Sequence, residues 1–126
     1  MALQDPYQTY RQQSAMTAAP GDLTLMLFNG CIKFIRQGIQ GLEARDMSAA
    51  NNAILRAQDI VGEFMSTLDM DYEISESLMD LYQFINGLLI EANIKKSAAQ
   101  LESALCLVTE LRDTWAEVVR LNRRHA

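Results

Sequence analysis

The chain has 126 residues, 49% of them hydrophobic and 21% charged, and a formal net charge of −5. That size and apolar content suit one compact domain and exclude disorder throughout. With aromatics at only 7%, the core must rest on Leu, Ile, Ala, Val and Met, a mix that favours helices.

The opening stretch, residues 1–19, is rich in Gln, Ala and Thr and carries only Asp5 and Arg11 as charges. It holds too few apolar residues to fold alone and reads as a mobile N-terminal arm. No basic region followed by an apolar run is present in it, so no signal peptide is expected and the expected compartment is the cytoplasm. Tyr7 and Tyr10 lie three apart and would share one face of a helical turn, making the arm able to dock.

No proline follows Pro20, and the remainder, 20–126, reads as a long helical body. Pro20 suits a first helical position and Asp22 places a carboxylate in the first turn, so helix 1 is expected from Pro20 to about Glu43. Asp46 or Ser48 can cap helix 2, whose inward stripe is Ala50, Ile54, Ala57, Val61, Phe64, Met65 and Leu68. Residues 69–72 interrupt the pattern. Ser75 restarts it as helix 3, with Leu78, Leu81, Tyr82, Ile85, Leu88, Leu89 and Ala92 inward and an end near Lys95 and Lys96. Helix 4 follows from about Ser97, turns Leu101, Ala104, Leu105, Val108, Leu111, Trp115 and Val119 inward, and frays into Arg120, Arg123 and Arg124. The expected fold is all-α, an antiparallel up-down four-helix bundle.

Catalysis is not expected. The single histidine, His125, stands beside the C-terminus, so neither a Glu-x-x-His metal pair nor a Ser/His or Cys/His nucleophile can be assembled inside the bundle. The glycines form no phosphate-binding loop. Cys31 and Cys106 lie within helical patterns without CxxC or Cys/His spacing and read as reduced core residues; no metal or other cofactor is expected. The charge-free runs 23–32 and 81–90 are 10 residues each, about half of what a membrane-spanning helix needs, so no membrane insertion is expected. From Asp59 to Asp80 there are seven acidic residues and no Lys or Arg, which argues against nucleic acid as partner.

The informative excess is apolar surface. A bundle helix needs an apolar arc of roughly 100° or somewhat more. In helix 1, Leu23, Leu27, Cys31 and Phe34 widen the stripe past half the circumference, either because this helix is the most central or because it meets a partner. In helix 3 the side opposite the core carries Met79, Gln83, Asn86, Gly87, Ile90 and Ile94 without a charge. A second face has no core left to enter and reads as an interface, with Met26 and Met79 as adaptable contacts. Such a face fits either the binding of another protein or self-association.

The runs Tyr7-Gln-Thr-Tyr10 and Thr17-Ala-Ala-Pro20-Gly-Asp-Leu-Thr-Leu-Met-Leu-Phe28-Asn-Gly30 resemble the FliS family of flagellin export chaperones. So do Leu81-Tyr82, Leu89-Ile-Glu-Ala-Asn93 and Thr109-Glu-Leu-Arg-Asp-Thr-Trp115, in collinear order over almost the whole chain. The resemblance implies a cytoplasmic four-helix bundle that binds the disordered C-terminal segment of flagellin. Its further implications are that this binding prevents premature polymerisation and aids delivery to the flagellar type III export gate. The gate itself or another flagellar regulator is a further candidate partner. In the family the arm caps part of the client groove, a role that Tyr7 and Tyr10 match. The proposed partner-binding residues are these two with Leu23, Leu27, Met79, Gln83, Gly87, Ile90, Asn93 and Ile94. Asn93 serves either client and loop backbone groups or an ordinary helix end. The sequence departs from the family pattern at Ala19, where Ser is common, at Phe28, often Tyr, and at Asn86-Gly87, usually more basic. Gly87 should weaken helix 3 by up to about 1 kcal/mol relative to Ala.

Overall fold

The computed structural model describes residues 20–124, in four helices: α1 (Pro20–Glu43), α2 (Met47–Thr67), α3 (Glu73–Lys95) and α4 (Ala98–Arg124). Among the described residues there is no strand. Turns of three, five and two residues, 44–46, 68–72 and 96–97, force consecutive helices to run antiparallel. The first helix packs along α2 and α4, and α3 packs along the same two, so the helices close a four-sided bundle. The expected arm with Tyr7 and Tyr10, and the terminal His125, lie outside the described residues.

Local chemistry sets each turn. Asp46 caps α2 by accepting from the Ala49 N–H at 3.1 Å. The α1 end is closed by Arg45 at φ 57° and by the Asp46 N–H bonded to the Gly41 carbonyl at 2.8 Å. Gly41 is required here, because a Cβ at that position would stand 2.8 Å from the Ala50 backbone nitrogen. In the α2–α3 turn Asp69 accepts from the Asp71 N–H at 3.0 Å. Helix α3 starts at Glu73, two residues before the expected Ser75. The Ser75 hydroxyl instead donates back to the Asp69 carbonyl and is buried, while Glu73 and Glu76 supply the first-turn carboxylates. At the other end Lys96 takes the left-handed conformation, φ 52°, with the Ser97 N–H on the Ala92 carbonyl at 3.1 Å.

The largest fully buried side chains are Leu27, Cys31, Ile35, Ile54, Ile60, Val61, Ile85, Leu89, Leu101 and Val108. They come from all four helices, as the inward stripes require. Burial pushes the Cys31 thiol up to about 12. Cys106, expected inside, is exposed. Helix α4 does not fray at Arg120. It continues to Arg124, with Arg120 paired to Glu117 on its own helix and Arg123 paired to Asp22 of α1.

The wide apolar arc of α1 is core. Leu23, Leu27, Cys31 and Phe34 are all below 8% exposed, because this helix makes the bundle's most extensive packing, against α2 on one side and α4 on the other. Leu23 and Leu27, named from the sequence as partner-binding residues on an arc that either a central helix or an interface could explain, are buried at 4% and 1% exposure.

Candidate docking surfaces

Two apolar features stand out. The first is a cavity of about 660 Å³ at the end of the bundle that holds the start of α1 and the later half of α4. All four helices line it: Leu27 and Phe28 from α1, Phe64 from α2, Leu78, Leu81 and Tyr82 from α3, and Leu107, Leu111 and Trp115 from α4. One wall is an aromatic ladder. The Phe28 and Phe64 rings lie 4.4 Å apart between centroids, and Phe64 stacks on Tyr82 at 5.4 Å. Burial raises the Tyr82 phenol above its ordinary pKa, so at neutral pH it presents a neutral hydroxyl. Trp115 is half-buried, and its indole Nε1 donates to the Gly21 carbonyl at 2.9 Å. This bond fixes the first turn of α1 against α4 beside the cavity. Asp69 and Glu110 also line the cavity and give its otherwise apolar surface an acidic edge.

The second feature is the outer side of α3. Gln83, Gly87, Ile90 and Ile94 follow one another at spacings of four, three and four and form one line along the helix. Ile90 is 41% exposed and Ile94 76%. Gln83 and Gly87 are exposed, and Met79 is half-buried at the edge of the same side. A side chain at Gly87 would meet open space, so nothing within the described bundle requires a glycine there. Asn93 is half-buried and turned toward α2, where its Nδ2 donates to Asn51 Oδ1 at 2.8 Å. Its own Oδ1 accepts from Lys96 Nζ at 2.6 Å. Both ends of the Asn93 amide are thus engaged within the bundle, in the helix-end role rather than on the open surface.

Sequence reasoning brought the outer residues of α3 together but passed over others. Phe84 is 59% exposed and Ile74 66%, and on α2 Leu55 is 45% exposed. Phe84 lies three residues beyond Leu81 and four before Leu88, so by spacing it reads as an edge of the inward stripe. In the assembled bundle it stays exposed. The cavity had no linear signal either, since its lining is spread over all four helices.

Among the described residues no cluster of His, Cys, Asp and Glu is arranged to hold a metal ion, and no helix is long and apolar enough to cross a membrane.

Comparison with known proteins matches residues 3–122 of this chain to the family described as "Flagellar protein FliS". The flagellar secretion chaperone FliS of Bacillus subtilis (strain 168) is 41% identical over 98% of this chain and 93% of its own length. Its namesake in Salmonella typhimurium is 26% identical over 85% of this chain and 82% of its own length. That of Vibrio cholerae serotype O1 is 24% identical, with 88% and 86% covered. Together with the four-helix architecture, the near-complete match shows that this chain belongs to the FliS family of flagellar proteins.

Proposed function

We propose that this protein is a non-enzymatic cytoplasmic export chaperone for flagellin. It holds the disordered C-terminal segment of flagellin, keeps it from polymerising early and presents it to the flagellar type III export apparatus. The observation that carries this reading is the charge-free outer line of α3, Gln83, Gly87, Ile90 and Ile94, left open on a helix whose opposite side already fills the core. A disordered client gains burial by laying amphipathic turns on such a surface, and this gain offsets the entropy lost on ordering.

The end cavity gives the same client a second foothold, and in its absence gives residues 1–19 a place to rest. That segment joins α1 at Pro20, next to the Gly21 carbonyl held by Trp115 at the cavity. Tyr7 and Tyr10 are the rings it offers to the cavity's apolar wall. Leu27 reaches the client only through that wall, and Met79 flanks the outer line. Client and arm then compete, so net affinity is the difference between two packings.

Calorimetric titration with a peptide spanning the C-terminal segment of the cognate flagellin, with circular dichroism of the mixture, tests this reading. One-to-one saturation, a negative heat-capacity change and gained helicity are the expected result. No binding at tens of micromolar, together with a solution mass above that of a monomer, would replace chaperoning with self-association.

A further inference from the structure

A groove of about 350 Å³ lies against the outer side of α1 and reaches Arg112 on α4. Asn29, Lys33, Arg36 and Gln40 form one line along α1, at spacings of four, three and four, and Gln37 flanks it. Ile32, almost fully buried, belongs to the same lining. Three cations therefore converge in one groove of a chain whose net charge is −5. No carboxylate is among the lining residues.

Of these three cations only Arg112 sits on a carboxylate, that of Asp113. Lys95, Arg120 and Arg123 each sit on a carboxylate, of Glu91, Glu117 and Asp22 respectively. Among the described residues Lys33 and Arg36 have no ion-pair partner. Arg112 is held in place at both edges, its Nη1 donating to Asn29 Oδ1 at 2.7 Å and its Nε to Asp113 Oδ1 at 2.7 Å. One guanidinium is thus pre-positioned across the α1–α4 seam, while the other two cations stand ready to pair.

We propose that this groove docks an acidic polypeptide segment of a partner protein, at a surface separate from the apolar client surface of α3. Carboxylates three or four residues apart on a helical segment match Lys33 and Arg36, which have that same spacing, and a guanidinium pairs with a carboxylate through two parallel N–H···O bonds. The amides of Asn29, Gln37 and Gln40 offer donors and acceptors to the segment's polar groups. Charge decides against a nucleic acid as occupant. Three cations give little phosphate neutralisation, and the acidic run from Asp59 to Asp80 repels a long polyanion.

The test is fluorescence anisotropy with the full chain and a short fluorescein-labelled peptide whose glutamates are three and four residues apart. Saturable binding is expected at low salt, weakened about tenfold or more in the double variant Lys33→Gln, Arg36→Gln, and weakened also by added salt. The matching glutamine peptide should not bind. Both substituted side chains are exposed, so thermal melts of the two proteins should superimpose, and the flagellin segment should bind both alike. Equal affinity of the acidic peptide for both proteins overturns the proposal. So does the absence of saturable binding at low salt, or tighter binding of an oligothymidylate of equal charge.

Discussion

The side-chain amides of Asn51 and Asn93 meet across the α2–α3 interface, Nδ2 of Asn93 donating to Oδ1 of Asn51 at 2.8 Å in a half-buried setting. This polar pair acts as a register pin, because sliding either helix by a turn breaks the bond between Asn93 Nδ2 and Asn51 Oδ1, while the Lys96 contact of Asn93 Oδ1 is local to its own helix end and cannot replace it. Asn93→Ala should therefore cost about 1–2 kcal/mol in urea unfolding. The double change Asn51→Leu, Asn93→Leu should recover most of that loss, and a double-mutant cycle showing no coupling would refute the pin.

Two glycines should respond to alanine with opposite signs. At Gly87 a Cβ meets open space, so Gly87→Ala should raise stability by roughly 0.5–1 kcal/mol through helix propensity alone. At Gly41 it would stand 2.8 Å from the Ala50 nitrogen, forcing α1 and α2 apart, so Gly41→Ala should lower the melting temperature. Thermal melts of the two variants compare them directly.

Ile90 and Ile85 lie five residues apart on α3 and separate binding from folding. Ile90→Glu places a charge on the open side and should weaken the flagellin segment about tenfold or more while leaving the melt nearly unchanged. Ile85, 1% exposed, belongs to the core, and Ile85→Ala should cost about 2–4 kcal/mol. A melt of Ile90→Glu as low as that of Ile85→Ala would show that Ile90 supports the fold.

Removal of residues 1–19 should increase binding of a hydrophobic dye and alter the emission of Trp115, the single tryptophan, which lines the end cavity. Helicity over 20–124 should persist. Unchanged dye binding would count against the arm as a cover.

The two thiols should differ in reach. Cys106 is exposed and should react with a maleimide in the native protein, whereas Cys31 should react only as the bundle opens. Below the ordinary thiol value of 9.0, Cys31 is protonated in both folded and unfolded chains and adds no pH dependence. Between 9.0 and about 12 only the unfolded chain ionises at this site, so stability should fall as pH rises through that window. Cys31→Ala should flatten that part of the pH profile relative to the parent protein.

Helix boundaries and inward stripes were readable because their signals are local. Asp46 caps where its side chain can reach an N–H three residues on, and the stripe Ala50, Ile54, Ala57, Val61, Phe64 follows the helical period. Ser75 misled for an equally physical reason, since its hydroxyl is spent on the Asp69 carbonyl rather than on a helix N–H. The arc of α1 could not be apportioned from sequence, because burial of Leu23 and Leu27 depends on neighbours supplied by other helices. The same holds for the cavity behind Tyr82 and for the basic groove at Arg112, where a residue on α4 completes a line on α1 that is 83 positions away at Asn29.

An even number of antiparallel helices returns the chain to its starting point, and here the return is bonded: Trp115 holds Gly21, and Arg123 pairs with Asp22. Residues 20 and 124 thus emerge at the bundle end that contains the 660 Å³ cavity. An affinity tag or fluorescent protein fused near either of these points would crowd the cavity mouth. The opposite end of the molecule, with the short 44–46 and 96–97 turns, offers insertion sites from which a reporter leaves that mouth clear.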